Sequence, residues 1–177
     1  GTVEREGDSV FNGADDNASG VATLLELARM LSEESRDRDI VFVTYSAEEH
    51  GLLGARSLAG SGLIEPDDLY AVVNLDMVGR NPERPVETFS NERGPLASLD
   101  PVSRARGLDL RITLETGSPP PSDLIVFHRM GAPAISLFTG LHEDYHGLDD
   151  EIESIANAHH ARLTTLAYRI VRALARE

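Results

Sequence analysis

The chain contains no cysteine, which excludes disulfides, thiolate metal sites and cysteine nucleophiles. It contains no lysine either: all 16 basic residues are arginine, set against 30 acidic ones for a formal net charge of −14. That balance argues against nucleic acid, whose phosphates require a basic face. It suits cationic ligands instead, metal ions and free amines among them. A surface this acidic leads us to expect a salt-adapted or strongly composition-biased source, because concentrated salt screens self-repulsion. No apolar run approaches the roughly 20 residues that span a bilayer, so no membrane partner is expected. The segment opens Gly1-Thr2-Val3 with neither an initiating Met nor a signal peptide, as a trimmed or partial product would.

What is present is ordinary for a folded domain. The chain has 177 residues, 41% of them hydrophobic and 26% charged, which excludes fibrous, collagen-like and disordered readings. A chain of this size buries roughly 70% of its unfolded surface without a metal or disulfide staple. No repeat, low-complexity tract or linker divides it, so residues 1–177 are read as one domain.

Apolar periodicity supplies the element order. A helix is expected from Asn17 or Ser19, with Val21, Leu24, Leu25, Ala28 and Leu31 on one face. The run after Asp39, residues 40–46, has the continuous apolar character of a buried strand, and a short helix covers about 52–58. A second buried strand is expected at 70–75, and a third at 133–138. Residues 80–94 carry Pro82, Pro85 and Gly94 and read as an exposed loop with at most an edge strand. A helix at 96–106, a strand at 108–114 and a helix capped by Ser122 and ending at Met130 follow. The last helix shows one long stripe of Ile152, Ile155, His159, Leu163, Leu166, Ile170 and Leu174. Alternation of strands and helices means an α/β fold: a mixed, largely parallel sheet flanked by helices on both faces, a three-layer sandwich.

The acidic and imidazole side chains fall at telling positions. In open α/β sheets, ligands bind beyond the carboxyl ends of the strands. Glu48 and Glu49 follow the run at 40–46, Asp76 follows the strand at 70–75, and His142, Asp144 and His146 follow the strand at 133–138. Asp15 and Asp16 precede the first helix. Four segments thus bring carboxylates or imidazoles to one sheet edge. Such a donor set is the chemistry of a divalent metal, with a spare carboxylate to handle the proton of a water. Glu48 and Glu49 could divide these tasks.

Competing motifs are weaker. Asp15, Asn17, Ser19, Gly20 and Glu26 occupy positions 1, 3, 5, 6 and 12 of a calcium-loop pattern. However, Gly7 and Gly13 interrupt the place of its entering helix, and the helical period already starts at Val21. Asn17-Ala18-Ser19 is formally a glycosylation site, better explained as a helix cap. No nucleophile elbow, phosphate loop or dinucleotide fingerprint is present. His159 lies on the apolar stripe as a core residue, while His160, His128 and His50 read as surface groups or groups behind the site.

Taken in order, NGADDNASGVA at 12–22, TYSAEEHGLLGA at 44–55, NLDMVGR at 74–80 and FTGLHEDYHGLDD at 138–150 resemble the M28 family of zinc aminopeptidases. The resemblance spans nearly the whole chain. It implies two zinc ions bridged by Asp15, with a cis peptide to Asp16. Glu49 and His146 would ligate one ion, Asp76 the other, and Glu48 would act as general base. Asp16, Tyr145 and Asp150 would stand around these ligands. The family also supplies a His from an upstream His-x-Asp motif, which residues 1–14 lack. The domain is therefore expected to be N-terminally incomplete, with one zinc site weakened or empty. Ser122-Asp123-Leu124 stands where the family often has Ser-Asp-His. The implied substrates are peptides with a free N-terminus, and the family's habit implies a secreted or periplasmic protein. Two other readings share these residues: a single-zinc glutaminyl cyclase, and a non-catalytic module with a vestigial site.

Overall fold

The computed structural model describes residues 9–176. Four strands, β1 (Val72–Leu75), β2 (Val86–Ser90), β3 (Ile112–Glu115) and β4 (Ala134–Phe138), form one sheet in the order β1-β4-β2-β3. β1 pairs with β4 in parallel, Val73 opposite Ile135, and β2 pairs with β3 in parallel. β2 and β4 run antiparallel, Thr88 opposite Leu137. The sheet is mixed and mostly parallel, as the alternation of elements led us to expect.

Side chains alternate across a strand, and the alternation assigns the two faces. Val73 and Leu75 of β1 join Ile135 and Leu137 of β4 in the main core. Over them lie α1 (Gly20–Leu31), through Leu27 and Leu31, and α5 (Asn157–Leu174), through Leu163, Leu166, Ala167 and Ile170. Those α5 positions recur at helical spacing, so one stripe is buried. Burying each such leucine or isoleucine contributes roughly 2 kcal/mol. On the opposite face, Val72 and Ala134 meet Leu124 of α4 (Leu124–Arg129) and Phe89. Phe127 of α4 packs with Ala55 of α2 (Leu53–Ala59). No helix among the described residues is long and apolar enough to cross a membrane.

Four expectations are corrected. The run at 40–46 makes no strand pairing, and Val41 is 70% exposed. A ladder needs a neighbour about 4.8 Å away; here Ile40, Val41 and Val43 line, together with Val73 and Leu75, a cleft of about 1550 Å³. Residues 80–94 hold β2, which lies between β4 and β3 with Val86, Thr88, Phe89 and Ser90 buried. The prolines flank that strand without entering it. The helix expected at 96–106 is a tight turn at Gly94–Ala97 followed by the short α3 (Pro101–Arg104). The strand expected at 108–114 is displaced to Ile112–Glu115. The reading of residues 1–8 lies outside the described residues.

Candidate metal centre

The first donor sits in a tight turn, Ala14–Ser19, that leads into α1. Gly13 enters this turn at φ 59°, and a Cβ there would stand 2.4 Å from the Asp16 carbonyl oxygen. Only glycine fits such a left-handed, crowded position. The Asp150 carboxylate accepts from the backbone N–H of Asp15 at 3.0 and 3.1 Å and from that of Asp16 at 3.0 Å. The Asn17 side chain then ties the turn to the end of β1. Its amide donates to the Leu75 carbonyl at 2.9 Å, and its oxygen accepts from Gly20 N–H at 3.1 Å and Met77 N–H at 3.3 Å. The segment carrying Asp76 is therefore held against the segment carrying Asp16.

This framework sends the two adjacent aspartates different ways. Asp16 Oδ2 lies 3.3 Å from His146 Nε2, which lies 2.8 Å from Glu49 Oε1. One donor atom from each of Asp16, Glu49 and His146 falls within 4.8 Å of the others. Asp15 is fully buried elsewhere: its Oδ1 accepts from Gly79 N–H at 2.7 Å, and its Oδ2 faces His142 Nε2 at 3.4 Å. Asp15, expected to bridge two ions, therefore lies outside the group of three donors, and its neighbour Asp16 lies within it. The cis peptide likewise follows Asp16, between Asp16 and Asn17, and does not follow Asp15.

Around the three donors the charge is concentrated and poorly compensated. Burial raises the Asp16 carboxyl above its ordinary value, and the Glu49 charge adds to this, against the pull of His146. Asp76, at the end of β1, is pushed up to about 7 by burial and by the charges of Asp16, Glu48 and Asp123. Its carboxylate belongs to the same acidic patch but lies outside the group of three. Glu48 is raised by burial, then by Glu49, Asp123 and Asp16. Asp16, Glu48 and Asp76 resisting ionisation together mark a site short of positive charge.

The remaining expected residues have assignable places. The Tyr145 ring stacks on His146 with centroids 3.7 Å apart, and its hydroxyl is raised by burial and then by Asp16, Glu49 and Glu48. Asp150 holds the Asp15–Asp16 backbone, and Arg80 links it to the 142–146 loop by pairing with Asp144 at 2.7 Å. His142 faces Asp15, outside the group of three. His159 is buried in the core, which lowers its pKa. His160 bonds Thr23 at 2.8 Å, and the His128 ring meets Phe89 edge-on.

Asp123 was not among the residues selected from the sequence. It stands at the start of α4, has a buried Oδ1 with no hydrogen-bond partner, and is raised by burial. Its charge raises Glu48 and Asp76 and, together with burial, holds the Tyr45 hydroxyl at about 12. The signal was present in the Ser122-Asp123 pair.

The donor chemistry fits a divalent ion. Two carboxylates and an imidazole are a suitable set for zinc, and the uncompensated acids of Asp76 and Glu48 adjoin it. Comparison with known proteins adds the following. Residues 2–171 match the family model for Peptidase family M28. The chain is 32% identical over 157 residues to Aminopeptidase YwaD of Bacillus subtilis (strain 168), which covers 81% of this chain and 34% of that protein. It is 44% identical over 79 residues to a probable zinc metalloprotease of Pyrenophora tritici-repentis (strain Pt-1C-BFP), covering 45% of this chain and 18% of that one. The solved aminopeptidase from Aneurinibacillus sp. strain AM-1 superposes with a TM-score of 0.75 at 29% identity, over 93% of this chain and 40% of that chain. The chain thus spans well under half the length of these relatives.

Proposed function

Because the chain belongs to peptidase family M28, we propose that it carries the catalytic centre of a zinc-dependent exopeptidase that removes N-terminal residues from peptides. Asp16, Glu49 and His146 would hold one ion. Asp76, with Asp16 shared, would contribute to a second, whose set is incomplete. When bound, zinc supplies Lewis acidity toward the scissile carbonyl.

The chain's own groups perform the proton work. Glu48 lies beside the three donors, and its raised pKa brings it nearer neutrality, where a general base works best. It takes a proton from the attacking water and returns it to the leaving amine as the peptide C–N bond breaks. The acidic patch of Asp16, Asp76 and Asp123 attracts the substrate's α-ammonium and holds the N-terminus in place. Tyr145, braced on His146, lines one side of this opening.

The observation that carries the reading is the convergence of Asp16, Glu49 and His146 from three separate loops, with Glu48 next to Glu49. Glu48→Gln is expected to keep zinc while turnover of an aminoacyl amide falls by about two to four decades. Full turnover by that variant would remove Glu48 from the role. A single-zinc glutaminyl cyclase is the second reading, favoured by one fact: among the described residues only one group of three donors forms. Cyclisation of N-terminal Gln with release of ammonia, without hydrolysis of aminoacyl amides, would select it.

A further inference from the structure

We infer that α2 and α4 build a carboxylate-binding pocket beside the acidic centre, so that the preferred peptides carry an acidic side chain next to the scissile bond. The inference rests on the exopeptidase reading and deepens it. A second pocket of about 400 Å³ shares Glu48, Glu49 and Tyr145 with the centre. It is also lined by Arg56 of α2, by Arg129, the last residue of α4, and by the apolar Leu52 and Ile125.

Both arginines are placed by the packing beneath them. Ala55 adjoins Arg56, and Phe127 lies two residues before Arg129; these two apolar residues lock the helices together, with Leu58, Val126 and Met130 around them. Both side chains are exposed and line the same pocket. Other arginines of this acidic chain are engaged: Arg80 by Asp144, Arg29 by Glu26, Arg172 and Arg176 by Glu34. Among the described residues, neither Arg56 nor Arg129 has a side-chain hydrogen bond, ion pair or ring contact. One free guanidinium on a surface is ordinary. Two lining one pocket together with the proposed general base make a pair suited to a carboxylate.

The carboxylates of Glu48 and Glu49 oppose an anion in the metal-free pocket. A zinc ion held by Glu49 would offset that residue's charge, leaving two guanidinium groups against Glu48 alone in the pocket. A lining of apolar side chains and two cationic groups fits the methylenes and carboxylate of Glu or Asp. The same chemistry could come from the N-terminal residue or from the residue after the scissile bond.

The test compares Glu-Ala with Gln-Ala, and Ala-Glu with Ala-Gln, as substrates of the zinc-loaded protein and of the Arg56→Gln/Arg129→Gln variant. The expected result is an acid-to-amide kcat/KM ratio of about ten or more in one pair, falling to about one in the variant, since each charged hydrogen bond is worth roughly tenfold or more. The pair that responds identifies which residue enters the pocket. Ratios near one in both pairs, or a ratio that survives loss of both arginines, overturn the inference. If none of the four peptides is cleaved, the exopeptidase reading fails on its own. The pocket is then read by calorimetric binding of glutarate to the zinc-loaded protein. Affinity at least tenfold weaker in the variant supports the pocket, and equal affinity refutes it.

Discussion

Replacing Asp76 by Asn is expected to stabilise the metal-free protein at pH 8. The Asp76 carboxyl titrates at about 7 in the folded chain, against an ordinary 3.8. Its charged form is disfavoured by burial first, then by Asp16 and Glu48. Between these two pH values the folded state holds a proton that the unfolded state has lost. Stability therefore falls as pH rises from about 4 to 7, and the penalty is complete above 7. A shift of about three pH units corresponds to roughly 4 kcal/mol at most. Asn is neutral throughout and nearly the same shape, so Asp76→Asn removes this slope. Thermal unfolding in EDTA at pH 8 should show a rise of about 10 °C, given the usual 2–4 °C per kcal/mol for a chain of this size. Saturating zinc should narrow the difference, because a cation beside Asp76 offsets the charge that burial penalises in the wild type. A variant no more stable than the wild type at pH 8 in EDTA would refute the argument that Asp76 is an uncompensated buried charge.

Two further outcomes follow from the packing. Gly79→Ala should destabilise by about 1–3 kcal/mol in urea titration, because a Cβ would stand 2.9 Å from both Asp15 Oδ1 and Ile155 Cδ1. Leu166→Ala, at the fully buried centre of the α5 stripe, should cost about 2–5 kcal/mol by the same measurement while leaving zinc stoichiometry unchanged.

Much of the centre was legible because chemistry-bearing residues follow strand ends. Asp76 sits one residue beyond β1, and His146 lies in the loop after β4, as the rule for ligand sites in α/β sheets requires. The choice between Asp15 and Asp16 was not legible. Two adjacent acids look alike in a sequence, and a turn pinned by Asp150 and Asn17 decides which one faces Glu49. Strand β2 was obscured by Pro82 and Pro85 and by Glu87 in its middle. Its buried positions become apparent only once β4 lies alongside. The run at 40–46 has strand composition, yet a strand is a relation between two segments, and no partner lies beside it among the described residues. Asp123 is marked in the sequence only as part of Ser122-Asp123-Leu124; its influence on Glu48 and Asp76 depends on where α4 packs, which the sequence does not give.

Zinc titration of Asp16→Asn beside Asp15→Asn tests the central claim most directly. If Asp16, Glu49 and His146 share one cation, Asp16→Asn weakens zinc binding by about a hundredfold or more, since a charged donor is lost. Asp15→Asn, which alters only the group behind the turn, weakens it by roughly tenfold. Tight zinc binding retained by Asp16→Asn and lost by Asp15→Asn would contradict the geometry on which the account stands.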